Sequence, residues 1–378
     1  MSRIETEPEQ PAPSANGKLT IWTPSQFRAY EDDPQDILLE NGYLEKGSPV
    51  AFCGPPGIGK SRLIMQLAIT SILGGEFLGW RTNAANMRWL IFQNENGNRR
   101  IKSEYDAMLS AMTIEDQRKL DEALFMTAIV SDIDGDLNLA DPSVLKRVRE
   151  AVGDYKPDLI VGDPLTALTS EDLNSDQAML SAARTFGRVA RVDNMKAVPV
   201  LIHHARTGKE AQEGMSGANR ASYARNSKAL YGWVRSQFNM GPVEEKKNER
   251  LFFASGKCNN FREFDEIVIQ LDRATLFYLK TDENAEEVRN NRNGQRGGAA
   301  GAFRAEDVLE LVPMEGTIKK DLVIHLAGQL VPPIGKHKAR GFIDELLERR
   351  TIFTWSVRLN PGRGREIHLA RHEQPRPE

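Results

Sequence analysis

Cysteine is almost absent: Cys53 and Cys258 are the two in 378 residues. Two thiols cannot staple a secreted scaffold, so a disulfide framework is excluded and a reducing interior is the expected setting. Long apolar runs are missing too. None approaches the ~20 residues that span a bilayer, and the start, Met-Ser-Arg-Ile-Glu-Thr-Glu-Pro, has no apolar stretch of the signal-peptide kind. A cytoplasmic protein is therefore expected. Neither sign of charge dominates: 50 Lys+Arg against 53 Asp+Glu leave −3. The chain as a whole is no polybasic coat for nucleic acid, and such a partner has to be met by a local patch. Internal repeats are lacking as well.

What is present is an ordinary globular composition, long enough at ~150 residues per domain for two or three domains. Residues 1–17 are Glu, Pro, Ser and Asn with almost nothing to bury and read as a disordered tail. From 18 to 280, short apolar runs (Val50-Ala51-Phe52, Trp89 to Phe92, Leu159-Ile160-Val161, Val198 to Ile202, Leu251-Phe252-Phe253) alternate with helical periods. One such period, Leu63, Ile64, Leu67, Ala68 and Ile72, stops at Gly74-Gly75. This alternation predicts an α/β domain with a mainly parallel sheet and helices on both faces. Glu266 to Leu271 and Thr275 to Leu279, separated by Asp272-Arg273-Ala274, predict a hairpin closing the sheet. Residues 281–302 lack an apolar period and are rich in Gly, Asn and charge, which predicts a flexible linker. Residues 303–378 form a separate small unit.

Gly54-Pro55-Pro56-Gly57-Ile58-Gly59-Lys60-Ser61 fits the phosphate-loop pattern at every fixed position, after an apolar strand and before an amphipathic helix. Glycines let backbone N–H groups curl round phosphates, and the helix N-terminus adds partial positive charge. Lys60 would reach the β- and γ-phosphates of ATP and the Ser61 hydroxyl would ligate Mg²⁺, with Arg62 next in the loop. Cys53 abuts the loop as a small core residue. Leu159-Ile160-Val161-Gly162-Asp163 ends a strand on a carboxylate, as the second Mg²⁺-side ligand requires; the plainer reading of Asp163 is a turn cap. Glu95, after Trp89 to Phe92, is the candidate water-activating acid, or else a solvated loop glutamate. His203 and His204 are adjacent, so on a strand they point to opposite faces and cannot grip one metal together.

The order of these motifs, GPPGIGKS, IFQNEN, LIVGDPL, LIHHAR and RNSKALYGWVRSQ, resembles the RecA-fold hexameric helicases. It is most similar to the plasmid-encoded RepA type, relatives of DnaB, over about residues 40–280. The resemblance implies Glu95 as the catalytic glutamate, Asp163 as the Mg²⁺-side aspartate and His204 as a γ-phosphate sensor. It implies ATP bound between neighbouring subunits of a ring, completed in trans by Arg235 as arginine finger and Lys257 as its partner. It also implies single-stranded DNA in a central pore, for which the long loop from Arg206 to Tyr223 offers Arg206, Lys209 and Arg220, set against Glu210 and Glu213. A second loop, Thr169 to Gln177, carries Glu171, Asp172 and Asp176 and is ill suited to phosphates. DnaB-type relatives have a sizeable N-terminal domain before the phosphate loop. Only about fifty residues stand ahead of the loop here, which fits the minimal RepA plan.

In the C-terminal unit, 304–312 and 317–330 read as helices, and a third follows Pro332-Pro333-Ile334-Gly335 with Ala339, Phe342, Ile343, Leu346 and Leu347 on one face. An alternating strand from Ile352 to Val357, a turn at 360–365 and a return over 366–369 complete a pattern that resembles a winged helix-turn-helix. Lys336, Lys338 and Arg340 on the third helix and Arg363 and Arg365 in the turn are the candidate DNA contacts. Winged helices also dock proteins, so an initiator protein is the alternative partner to duplex DNA. The expected function is an ATP-dependent DNA helicase or translocase in plasmid, phage or mobile-element replication. Two rivals stay open: a DNA-stimulated ATPase that remodels a complex without unwinding, and an ATP-switched DNA-binding regulator.

Overall fold

Uniformly apolar runs become strands buried on both faces. The computed structural model describes residues 19, 21–83, 87–170, 175–205, 223, 228–244, 249–296, 304–330, 334–358 and 365–373. Contacts divide the chain into two units, Met1–Glu286 and Glu287–Glu378.

In the first unit the strands of the main sheet are Val50–Gly54 (β1), Trp89–Gln93 (β2), Leu124–Met126 (β3), Leu159–Asp163 (β4), Val198–His204 (β5), Ser236–Pro242 (β6), Arg250–Cys258 (β7), Ile267–Leu271 (β8) and Tyr278–Lys280 (β9), with two short two-stranded pairs beside it. Among the described residues they form one sheet in the order β9-β8-β7-β6-β1-β5-β4-β2-β3. Strands β6, β1, β5, β4, β2 and β3 run parallel. β7, β8 and β9 extend the sheet antiparallel, the last two being the expected hairpin. The helices around this sheet are Lys60–Leu73 (α1), Asn98–Met108 (α2), Ile114–Ala123 (α3), Pro142–Tyr155 (α4), Asp176–Val189 (α5) and Lys228–Trp233 (α6), with a short helix, Pro24–Arg28, ahead of them.

Helices cover both faces, as strand-by-strand alternation requires. Phe52 and Ile91 share one core with Leu63, Leu67 and Ile72 of α1. Phe92 points the other way, its ring 6.5 Å from Phe186 of α5. Gly162 is needed there, since a Cβ would lie 2.7 Å from Leu168 and 3.2 Å from Leu201. α1 ends where the sequence predicts, at Gly74 with φ +76 and its N–H on the Thr70 carbonyl. Below the phosphate loop Phe52, Phe238, Phe253 and Phe264 stack, with Phe52–Phe238 centroids at 4.7 Å and Phe238–Phe253 at 5.6 Å. Such pairs add ~0.5–1.5 kcal/mol each beyond area burial, so the loop stands on a stiff base. No helix among the described residues is long and apolar enough to cross a membrane.

Strands β3 and β6 were not legible. β6 reads Ser-Gln-Phe-Asn-Met-Gly-Pro, yet Gln237 and Asn239 are fully buried, the Gln237 amide donating to Asn239 Oδ1 at 2.9 Å. Its polar composition hid a central strand. The expected linker is also corrected: residues 285–296 are helical (α7, Ala285–Arg296), started by Asn284, whose Oδ1 accepts the Glu286 N–H at 2.9 Å. Local capping supplies a helix where no apolar period announces one.

The second unit contains Ala305–Leu309 (α8), Ile318–Lys319 (β10), Lys320–Ala327 (α9), Lys336–Glu348 (α10), Phe353–Arg358 (β11) and Arg365–Ala370 (β12). The strands pair antiparallel in the order β10-β12-β11. β10 corrects the expected helix over 317–330, which starts only at Lys320. Ile318 and Lys319 are instead drawn into pairing with Leu369 and His368. Val308, Val323, Ala339, Ile343, Leu346 and Leu369 fill this unit's own core.

Candidate nucleotide site

The parallel strands deliver three sequence-predicted residues, Gly54, Asp163 and His204, to one rim. Gly54 pairs with His204 at the ends of β1 and β5, and Gln93 pairs with Asp163 at the ends of β2 and β4. Between β1 and α1 the loop turns through left-handed backbone at Gly57 (φ +69) and Gly59 (φ +100), the conformations glycine permits. Lys60 is folded into its own loop: Nζ donates to the Gly54 and Pro55 carbonyls, both at 2.9 Å, and lies 3.3 Å from His204 Nδ1. His203, on the opposite face, is buried. Pro55 and Ile58 belong to the same turn, with Pro56 exposed and Ile58 buried in the core. Cys53 is fully buried and its thiol is pushed up to about 12, chiefly by that burial, so it is inert.

Ser61 hydrogen-bonds the Asp163 carboxylate, bringing a hydroxyl and a carboxylate oxygen together beside Lys60. Hard oxygen donors of this kind suit Mg²⁺, which keeps most of its shell for phosphates and water. No group of three or more His, Cys, Asp or Glu among the described residues could hold a metal by itself. Ser61 and Asp163 would hold such an ion arriving with phosphates.

Glu95 sits two residues past β2, exposed, and its charge is felt by both Lys60 and Asp163. Its loop is pinned on either side. Buried Gln93 accepts the Asn96 N–H at Oε1 (2.9 Å) and donates to the Thr127 carbonyl (3.0 Å), and Asn94 donates to the Gly135 carbonyl (3.1 Å). Sequence reasoning missed Gln93, Thr127 and Tyr278. Tyr278, from the far edge of the sheet, donates to the Ile58 carbonyl at 3.3 Å. The Arg62 side chain is taken by Glu104 at 2.9 Å and by the Tyr278 hydroxyl, which leaves its backbone N–H for the loop. A Cβ on Gly59 would meet the Tyr278 hydroxyl at 2.1 Å. Gly59→Ala is therefore expected to weaken nucleotide binding at least tenfold, as read with a fluorescent ATP analogue. Adding Tyr278→Phe should recover little, because left-handed backbone still costs an alanine about 1–2 kcal/mol.

Burial pushes the Lys60 ammonium down to about 8, against the opposing charges of Asp163 and Glu95. Burial pushes Asp163 up to about 6, helped by Glu95 and opposed by the Ser61 bond, Lys60 and Arg100. Asp163 in the folded chain lies above its unfolded value of ~3.9, so the penalty for ionising it builds from about pH 4 and is complete by about pH 6. Lys60 lies below its unfolded ~10.4, so its penalty is present below pH 8 and fades as pH climbs toward 10. Both penalties coexist between about pH 6 and 8. Phosphates and a divalent ion would supply the missing partners, so Mg·ATP binding should release protons near pH 6 and take them up near pH 8.5. Calorimetry in buffers of different ionisation enthalpy reads that reversal of sign, and one sign throughout would refute the assignment.

Arg235 and Lys257 lie at the other end of the sheet. Arg235 precedes β6, donates its N–H to the Pro49 carbonyl at 2.7 Å and is exposed. Ser236 pairs with Val50, so the length of β1, four steps of ~3.3 Å or about 13 Å, separates Arg235 from the start of the phosphate loop. Lys257 donates to the Tyr231 and Val234 carbonyls at 2.6 and 2.8 Å and lies 4.7 Å over the Tyr231 ring. Burial, then the charge of Arg235, lowers its pKa. Lys257 thus fixes the turn that carries Arg235.

Arg206, Lys209, Arg220 and Arg363 lie outside the described residues. Tyr223, at the end of that first loop, is buried and donates to the Met240 carbonyl at 2.5 Å. Asp176 opens α5, behind a Ser175 cap. In the second unit Lys336 and Arg340 are exposed one turn apart on α10, and Arg365 opens β12. Lys338 falls on another stripe, its ammonium 5.5 Å over the Phe342 ring, so the basic face of α10 is narrower than the sequence predicts.

A parallel sheet whose central strand runs through GPPGIGKS into a helix, with Asp163 at a neighbouring strand end, defines a P-loop ATPase with a RecA-like core. The chain belongs to the AAA domain family, whose profile matches residues 12–210, more than half its length. No curated protein matches the sequence. Among solved structures the chain is similar to a KaiC-like protein, PH0186, from the hyperthermophilic archaeon Pyrococcus horikoshii OT3, at 12% identity and a TM-score of 0.43, over 65% of this chain and 94% of that one. It is likewise similar to the solved ATPase domain of a second protein, at 12% identity and a TM-score of 0.44, over 66% of this chain and 91% of that one.

Proposed function

We propose that this ATPase is a ring-forming DNA translocase of the RepA helicase type, hydrolysing ATP between subunits to move on single-stranded DNA. The observation that carries the reading is the separation of Arg235 from the phosphate loop across the length of β1. A finger there cannot serve its own subunit's nucleotide and is free to serve a neighbour's. Lys60 and the loop amides bind the phosphates, Ser61 and Asp163 hold Mg²⁺, Glu95 orients the attacking water, and His204 beside Lys60 senses the γ-phosphate. Lys257 acts as a positioning residue for Arg235. The ring is a hexamer in this reading, and Arg206, Lys209 and Arg220 line its pore.

The second unit, in the same reading, is a winged helix that tethers the ring to duplex DNA or an initiator. Its support is the order helix, strand, helix, helix, hairpin, with Lys336 and Arg340 exposed on the third helix. From Ile334 to His372 nine Lys/Arg face four Asp/Glu, a local excess of +5 in a chain of net −3.

Turnover per subunit is expected to rise with protein concentration and to rise severalfold further with an oligothymidylate strand. Steady-state phosphate release across a dilution series, with and without the strand, measures both. Turnover indifferent to DNA and to concentration removes the ring motor and favours a DNA-binding regulator switched by ATP.

A further inference from the structure

On the rim that carries Arg235, Arg184 and Arg188 of α5 are followed by Arg191, two residues past the end of the helix, at sequence steps of four and three residues. With Trp233, Gly187, Gly47, Pro49 and Pro199 they line a cavity of about 230 Å³. At ~30 Å³ per water this holds roughly eight waters' worth of ligand. The three arginines are exposed, and none takes part in an ion pair among the described residues. No carboxylate lines the cavity. The acids near Gly47 are already engaged: Asp36 with Lys46 and Lys196, and Asp158 with Lys46.

Like charges one turn apart repel by a few tenths of a kcal/mol per pair, and the dipole of the α5 C-terminus offsets this for Arg188 and Arg191 but not for Arg184. The walls are stiff. Two are prolines, and the Trp233 ring is seated on Gly187, where a Cβ would come within 2.8 Å of Cζ2. Glycine at that point leaves the indole beside the guanidinium row. Pro49 also accepts the Arg235 N–H, so Arg235 and Lys257 add to the positive potential next door.

We propose that this arginine–tryptophan cavity is a second anion site, separate from the phosphate loop, for a phosphate-bearing ligand. Guanidinium forks match phosphate oxygens two at a time, and an indole offers a face or edge to a base or sugar. The phosphate comes either from a free nucleotide or from the backbone of a nucleic-acid strand.

The test uses the full chain carrying Lys60→Ala, so that the phosphate loop is silent. It is titrated with inorganic tripolyphosphate and, separately, with a fluorescein-labelled oligothymidylate, read by tryptophan emission and by anisotropy. Trp233→Phe identifies which part of the emission change belongs to the cavity. At least one probe should bind, and Arg184→Gln/Arg188→Gln/Arg191→Gln should weaken it tenfold or more. For the strand, the slope of log K against log salt should flatten by roughly two, at ~0.7 for each phosphate no longer neutralised. Tripolyphosphate binding supports the site with free nucleotide as its source; binding of the strand alone supports it with a nucleic-acid backbone. A folded triple variant that keeps both affinities overturns the proposal. So does one that keeps them but sediments differently, since the arginines then dock a carboxylate-rich segment of another chain. If the glutamine triple fails to fold, the lysine triple is read instead. It keeps charge but loses the fork, so a threefold or greater loss supports the site and no loss overturns it.

Discussion

Glu95→Gln should bind ATP within a few-fold of the parent and turn it over ~10²–10⁴ times more slowly, the usual worth of a positioned general base. The glutamine keeps the shape and removes the ability to take a proton. Its backbone neighbours leave little room for compensation, since Asn96 is held by Gln93, Gln93 by Thr127 and Asn94 by Gly135. The carboxylate itself is free in solvent, yet close enough to bear on both Lys60 and Asp163. Single-turnover hydrolysis with labelled ATP separates the chemical step from binding. A variant retaining a third or more of the parent rate would place the water-activating group elsewhere.

Arg235→Ala is expected to lose ~10³–10⁵ in turnover, the range typical of arginine fingers, with nucleotide affinity little changed. Its distinguishing outcome is complementation. Lys60→Ala and Arg235→Ala subunits, each inactive alone, should recover activity when mixed, because about a quarter of random head-to-tail interfaces then join an intact loop to an intact finger. Phosphate release after mixing measures it. If the two never complement although they co-sediment, the guanidinium serves its own fold and not a neighbour.

The phosphate loop and Asp163 were legible because their chemistry dictates residue type and spacing locally, and the apolar runs that place them are as local. The roles proposed for Glu95 and His204 rest on the family's motif order, since an acid after a strand and a histidine pair have no unique reading alone. What escaped were contacts made across the fold. Gln93, Thr127 and Tyr278 are ordinary in sequence and matter only once β3 lies beside β2 and β9 reaches Gly59. β6 escaped for a related reason: a strand that buries Gln237 and Asn239 against each other shows no apolar run to read. Lys257 was legible as a cation but not as the clasp on the Arg235 turn.

β1 also sets an order of events during synthesis. Val50–Gly54 comes early in the chain, yet its two partners in the sheet are Val198–His204 and Ser236–Asn239. While a ribosome is still making the residues between, the first strand has neither neighbour and the phosphate loop has no floor. The phosphate loop therefore stands without its β5 flank until His204 has been made, and without its β6 flank until Asn239 has been made. Contacts so distant in sequence fold slowly and leave apolar strands bare in the meantime. A truncated message ending before Ser236 should therefore yield an aggregating product, not a weak ATPase.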